Sequence, residues 1–180
     1  MRLFTAVAAG LLTAAVALAE DAKGKVVEIA GMKSTAPADW KNEEPSNTMR
    51  VYQFKLPKDE KDKEDAELAL FFFKAGSGTV EQNLKRQTAK FNPADGKDKV
   101  EEKVEKTKVG TVEATYQDVS GTFIKKAFPM AKDGTAMPNY RQLYVVFETK
   151  DGQYYMTLLG PAKTVEKHKK AFDEWLKNFK

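Results

Sequence analysis

At 180 residues, with 30 basic against 26 acidic side chains and a net charge of +4, the chain has room for one domain with a real core. Lysine and glutamate interleave throughout, as over residues 97–108, so the basic excess forms no block of the kind that nucleic-acid binding needs. Cysteine is absent, which excludes disulfides, thiol catalysis, thiolate metal sites and a lipid-modified cysteine, and leaves burial to carry stability.

Met1-Arg2 gives a short positive start, residues 3–18 are uncharged and apolar, and Ala17-Leu18-Ala19 is a small-x-small cleavage pattern. The run is too short and too rich in alanine for a spanning helix, and no stop-transfer segment follows. Residues 1–19 therefore read as a signal peptide and 20–180 as a single domain. The expected location is the periplasm or the medium, with no transmembrane segment in the mature chain. Cleavage removes Arg2 and leaves 29 basic residues against 26 acidic.

In chain order, residues 25–29 read as a short strand ended by Gly31, and Pro37-Ala38-Asp39-Trp40 as a turn. Residues 49–56 form a strand closed by Pro57, and the charged run 58–65 reads as a solvated hairpin loop. The segment 67–74 contains Leu68-Ala69-Leu70-Phe71-Phe72-Phe73, apolar at both parities, so it reads as a central strand covered on both faces. Its three phenylalanines are accordingly expected in the core. Thr79 and Gln82 have capping-box spacing, which opens a helix over 79–91 with Val80, Leu84 and Phe91 on one face.

Residues 100–109 alternate weakly and are dense in charge, as suits a protected edge strand. After Gly110, residues 111–123 form an amphipathic strand, and 124–139, with Pro129, Gly134 and Pro138, reads as a long irregular segment. Two strands, 140–150 and 153–159, meet across the strong turn pair Asp151-Gly152. Thr164 is placed to cap a last helix, with Val165, His168, Phe172, Trp175, Leu176 and Phe179 on one stripe. The fold class is α+β: a mainly antiparallel sheet of about six to eight strands sandwiched by two helices.

Several pieces carry a family resemblance. They are Ala36-Pro37-Ala38-Asp39-Trp40, Met49-Arg50-Val51-Tyr52-Gln53-Phe54-Lys55-Leu56-Pro57, Ala66-Glu67-Leu68-Ala69-Leu70-Phe71-Phe72-Phe73 and Gly76-Ser77-Gly78-Thr79-Val80-Glu81. Val119-Ser120-Gly121-Thr122-Phe123, Tyr140-Arg141 and Leu159-Gly160-Pro161 before Thr164-Val165 complete the series. Together they resemble a group of uncharacterised exported bacterial proteins of planctomycete and myxobacterial type. The order of elements also resembles the fold shared by the photosystem II extrinsic protein PsbP and the Ran-binding protein Mog1. That resemblance implies an antiparallel sheet between helices and, for most members, accessory or binding roles rather than catalysis; it supplies no catalytic residue.

The single histidine, His168, lies beside an apolar stripe and reads as structural, since a metal or general-base role needs partners that its helix does not supply. Gly76-Ser77-Gly78-Thr79 opens a helix but lacks the lysine and spacing of a nucleotide loop, so it reads as turn plus cap. Asp59, Asp62 and Asp65 are interleaved with Lys58, Lys61 and Lys63 without calcium-loop spacing. Nothing in the sequence calls for a cofactor or a metal.

The best functional segment is 124–141, longer than a connection requires. Phe128, Met130, Tyr140 and Arg141 are its candidate binding residues, with Met137, Lys125 and Lys126 beside them; aromatic, Met and Arg side chains are typical of recognition surfaces. The expectation is an exported, non-enzymatic binding or accessory protein of the cell envelope, whose partner is an envelope protein or extracellular component. A hydrolase acting on cell-wall or polysaccharide material through a carboxylate pair is the alternative.

Overall fold

The structure, a computed structural model, describes residues 24–180 apart from Gly76 and Pro129. The expected signal peptide lies outside the described residues. Strand β1 (Val26–Ile29) pairs with β2 (Met32–Thr35) in a small hairpin. The main sheet contains β3 (Lys41–Glu43), β4 (Arg50–Leu56), β5 (Ala66–Phe73), β6 (Phe91–Asn92), β7 (Glu101–Val109), β8 (Val112–Lys125), β9 (Thr135–Thr149) and β10 (Gly152–Pro161). Its order is β3-β4-β5-β10-β9-β8-β6, with β7 on the same edge of β8 as β6, and every pairing is antiparallel. Among the described residues, helices α1 (Val80–Thr88) and α2 (Ala162–Lys177) complete a single α+β domain.

Strand parity assigns the helices to opposite faces. On β9, Leu143, Val145 and Phe147 pack with Val165, Phe172, Trp175 and Leu176 of α2, while Tyr144 and Val146 pack with Val80 and Leu84 of α1. The α2 face also holds Trp40, Phe54, Leu68, Leu70, Met156 and Leu158, and Trp40 meets Trp175 edge-on at 5.6 Å between centroids. Beyond α2, Phe179 stays buried, and Lys180 exchanges backbone hydrogen bonds with Lys33 at 2.7 and 3.1 Å. Gly110, at φ +57, turns β7 into β8 where a Cβ would stand 2.3 Å from the Phe179 carbonyl, so glycine is required there. Among the described residues, no helix is long and apolar enough to cross a membrane.

Four local expectations are corrected. Strand β2 follows Gly31 at once, where the sequence showed only the end of a strand. Helix α1 stops at Thr88, and Phe91 of β6 pairs instead with Phe123, ring centroids 5.3 Å apart. The arms of the β8–β9 hairpin run on to Lys125 and back from Thr135, so only 126–134 is irregular rather than 124–139. Helix α2 begins at Ala162, and Thr164 is not its cap. Asp62 instead reaches across from the charged 58–65 loop and accepts from Thr164 N (2.8 Å) and Thr164 Oγ1 (2.7 Å).

Candidate functional site

The β8–β9 hairpin places Phe128 and Met130 at its tip, 61% and 87% exposed, amid the exposed Lys125, Lys126 and Lys132. A phenylalanine and a methionine this open give up burial of about 1.5–3 kcal/mol each. The tip is therefore apolar at its end, with three lysines and one exposed acid, Asp133, around it.

Tyr140 and Arg141 lie farther down β9 and point to opposite faces of the sheet. Tyr140 stacks on Phe123 at 5.9 Å and donates to Glu64 Oε1 (2.5 Å); burial first, and then that bond, push its phenol upward. Arg141 makes a bidentate pair with Asp118 (Nε–Oδ1 2.8 Å, Nη2–Oδ2 2.7 Å) and a second contact with Glu166 of α2. Hydrogen bonding to Asp118 raises the guanidinium pKa against the opposing effect of burial. The four residues drawn together by the sequence thus divide into an exposed pair at the tip and a bonded pair at its base.

The remaining sequence candidates have structural partners. Trp40 Nε1 donates to His168 Nδ1 (3.2 Å), and His168 Nε2 faces the Pro57 carbonyl at 2.8 Å. An indole N–H only donates and a carbonyl only accepts, so the ring is the neutral Nε2–H tautomer. In the charged loop, Asp65 accepts from Lys58 N (2.9 Å), Asp59 from Lys61 N (3.0 Å), and Lys167 Nζ donates to the Pro57 and Lys58 carbonyls. The loop is mostly exposed, as read, and through Asp62, Asp59 and Lys167 it also clasps the start of α2. Among the described residues, no three acidic or histidine side chains are gathered as metal ligands. Thr79 and Gln82 form the capping box, and Ser77 N donates to Gln153 Oε1 at 3.0 Å, so the amides of Ser77, Thr79 and Gln82 are engaged within the domain.

A second feature was not anticipated. Helix α1 is tied over β8 by Gln117, whose Nε2 donates to Leu84 O (3.1 Å) and Thr88 Oγ1 (2.9 Å). With only nine residues, α1 leaves a groove of about 450 Å³ beside it over β9, β10, β5 and the start of β4. Phe71 and Phe73 line this groove and are half-buried, so the expectation that all three phenylalanines of β5 are core is corrected. Phe72, on the α2 side, is half-buried against Tyr154 at 4.7 Å. Arg50, Arg86 and Lys90 stand around the groove, and Gln142, Tyr144 and Tyr155 lie within it. Burial pushes the Tyr144 phenol up. The sequence signal for the groove was the scarcity of apolar residues on α1, where Val80 and Leu84 alone face a wide apolar sheet.

No family model matches the chain, and no curated protein matches it. Among solved structures it is similar to a Pseudomonas aeruginosa protein of unknown function, PA94, with 14% identity over 85% of this chain and 93% of that one, at a TM-score of 0.45. It is also similar to cyanobacterial PsbP (CyanoP) of Synechocystis sp. PCC 6803, with 13% identity over 99% of this chain and 98% of that one, at a TM-score of 0.51. At that identity the likeness is one of architecture: this chain has a PsbP-like α+β fold.

Proposed function

We propose that the protein is an exported, non-enzymatic binding or accessory protein of the cell envelope that docks on an envelope protein through the tip of the β8–β9 hairpin. The observation that carries this reading is the exposed pair Phe128 and Met130 at the end of a hairpin whose arms stay paired out to Lys125 and Thr135. Aromatic and methionine side chains are favoured where they enter a partner's pocket, and Lys125, Lys126 and Lys132 around them ask for an acidic rim. The leader-like residues 1–19 and the resemblance to exported bacterial proteins of planctomycete and myxobacterial type support export to the periplasm or the medium.

Several acids open to pairing in a carboxylate-dependent hydrolase have other partners. Asp118 and Glu166 share Arg141, Asp62 caps α2, and Glu64 accepts from Tyr140.

The test is a photoreactive phenylalanine analogue at position 128 in the native producing cell, with the same analogue at the exposed Val104 on the edge strand as control. One dominant protein adduct from position 128, absent from 104 and lost with Met130→Asp, is the expected result. Adducts to lipid alone, or the same products from both positions, overturn the docking reading. Amino-terminal sequencing of the cellular form should start near Glu20; an intact leader on cytosolic protein overturns export.

A further inference from the structure

We propose that the groove beside α1 binds a small amphiphilic anion: a hydrocarbon or aromatic body with a carboxylate or phosphate at one end and a hydroxyl or amide N–H farther along it. The volume, about 450 Å³, falls in the range of small-molecule sites. Ala69, Phe71 and Leu159 give it an apolar floor for the body of the ligand.

Charge selects the head. Arg50, Arg86 and Lys90 line the groove against a single acid, Glu67, which is already paired with Arg50 at 2.8 Å. Arg50 Nη1 also donates to Gln53 Oε1 (2.8 Å), whereas its Nε is buried without a partner. An anionic oxygen at Nε would satisfy that donor in a setting where a neutral group gains less.

The second polar contact comes from Gln142, which is fully buried on β9 and lines the same groove. Its Nε2 donates to Gln87 Oε1 at 3.3 Å, but its Oε1 has no partner. A buried carbonyl without a donor costs free energy that a ligand hydroxyl or N–H would recover. Two unpartnered polar atoms of opposite sense, a donor on Arg50 of β4 and an acceptor on Gln142 of β9, stand on strands separated by β5 and β10, so they would meet an anionic head at one end of a ligand and a donor farther along its body.

The experiment is calorimetric titration of the full chain, with amide chemical shifts followed in parallel, using octanoate, 8-hydroxyoctanoate, octyl phosphate and 1-octanol as probes. The two acids are expected to bind at least roughly tenfold more tightly than 1-octanol, and the hydroxy acid more tightly than octanoate, with shifts at Ala69, Tyr144 and Leu159. Octyl phosphate beside octanoate identifies the preferred head. Arg50→Gln should erase the preference for acid over alcohol, and Gln142→Leu should erase the gain from the hydroxyl while leaving the acid preference. Arg86→Gln gives the same reading as Arg50→Gln if the latter fails to fold. No binding of any probe at millimolar concentration, equal affinity for octanoate and 1-octanol, or shifts confined to other surfaces would each overturn the proposal.

Discussion

The two faces of the main sheet are built from the same strands and finished in opposite ways. On one, the sixteen-residue α2 packs Val165, Phe172, Trp175 and Leu176 against Trp40, Phe54, Leu68 and Leu143, and the chain end is pinned to β2. On the other, the nine-residue α1 brings two apolar side chains and leaves Phe71 and Phe73 lining a groove. Stability concentrated on one face leaves the other free to keep open surface and unpartnered polar atoms. The difference lies in the helices rather than in the strands.

The sharpest way to break that comparison is to truncate one anchor on each face. Trp175→Ala should cost about 3–5 kcal/mol, because a fully buried indole leaves a cavity that its ring of aromatic neighbours cannot fill. Leu84→Ala, at a half-buried position on α1, should cost less than half as much. Chemical denaturation reads both, and equal losses would show the faces to be energetically alike.

Alkaline pH probes both faces at once. Tyr116 lies on the α2 face and Tyr144 on the α1 face, and burial is the leading cause that raises both phenols, as it does for Tyr140. Below about pH 10 these groups are protonated in both states and their contribution is intact. Above it the unfolded chain ionises while the folded one does not, so stability falls as pH rises towards the raised folded values. Each phenol should remove about 1.4 kcal/mol per pH unit. Tyrosinate absorbance rising in step with loss of circular dichroism is the expected result. The sequence has six tyrosines, so ionisation of more than three before unfolding would contradict the burial of these.

A smaller effect tests what holds α2 in register. Asp62→Ala removes the carboxylate that caps Thr164 and should cost about 1–2 kcal/mol, whereas Thr79→Ala at the local cap of α1 should cost about 1 kcal/mol. Denaturation midpoints at constant slope compare the two. An Asp62 variant as stable as the parent would return the 58–65 loop to the solvated role that its composition suggests.

That loop shows where the sequence was legible and where it was not. Periodicity and turn chemistry identified β4, β5, the Asp151-Gly152 hairpin and the apolar stripe of α2, because each is a local pattern. The capping box of α1 is local too, and it stands as read. The cap of α2 was invisible, since Asp62 and Thr164 are 102 positions apart and only the fold brings them together. Arg141 looked available for a partner for the same reason: its pairing with Asp118 depends on the register of β8 against β9, and its contact with Glu166 on where α2 packs. The phenylalanines of β5 were read as core from their own strand, but coverage is decided by the length of the helix opposite.

The smallest expected effect on stability is at the hairpin tip, and its smallness gives it meaning. Phe128→Ala and Met130→Ala remove side chains that are mostly in water already, so the folded domain should change by no more than about 0.5 kcal/mol. Large apolar side chains at such a position contribute little to the fold, which agrees with the proposed use of the tip as a docking surface. A loss above about 1 kcal/mol in either variant would mean that the tip folds back on the domain and buries these residues. In that case the groove beside α1, rather than the hairpin, would be the surface left for recognition.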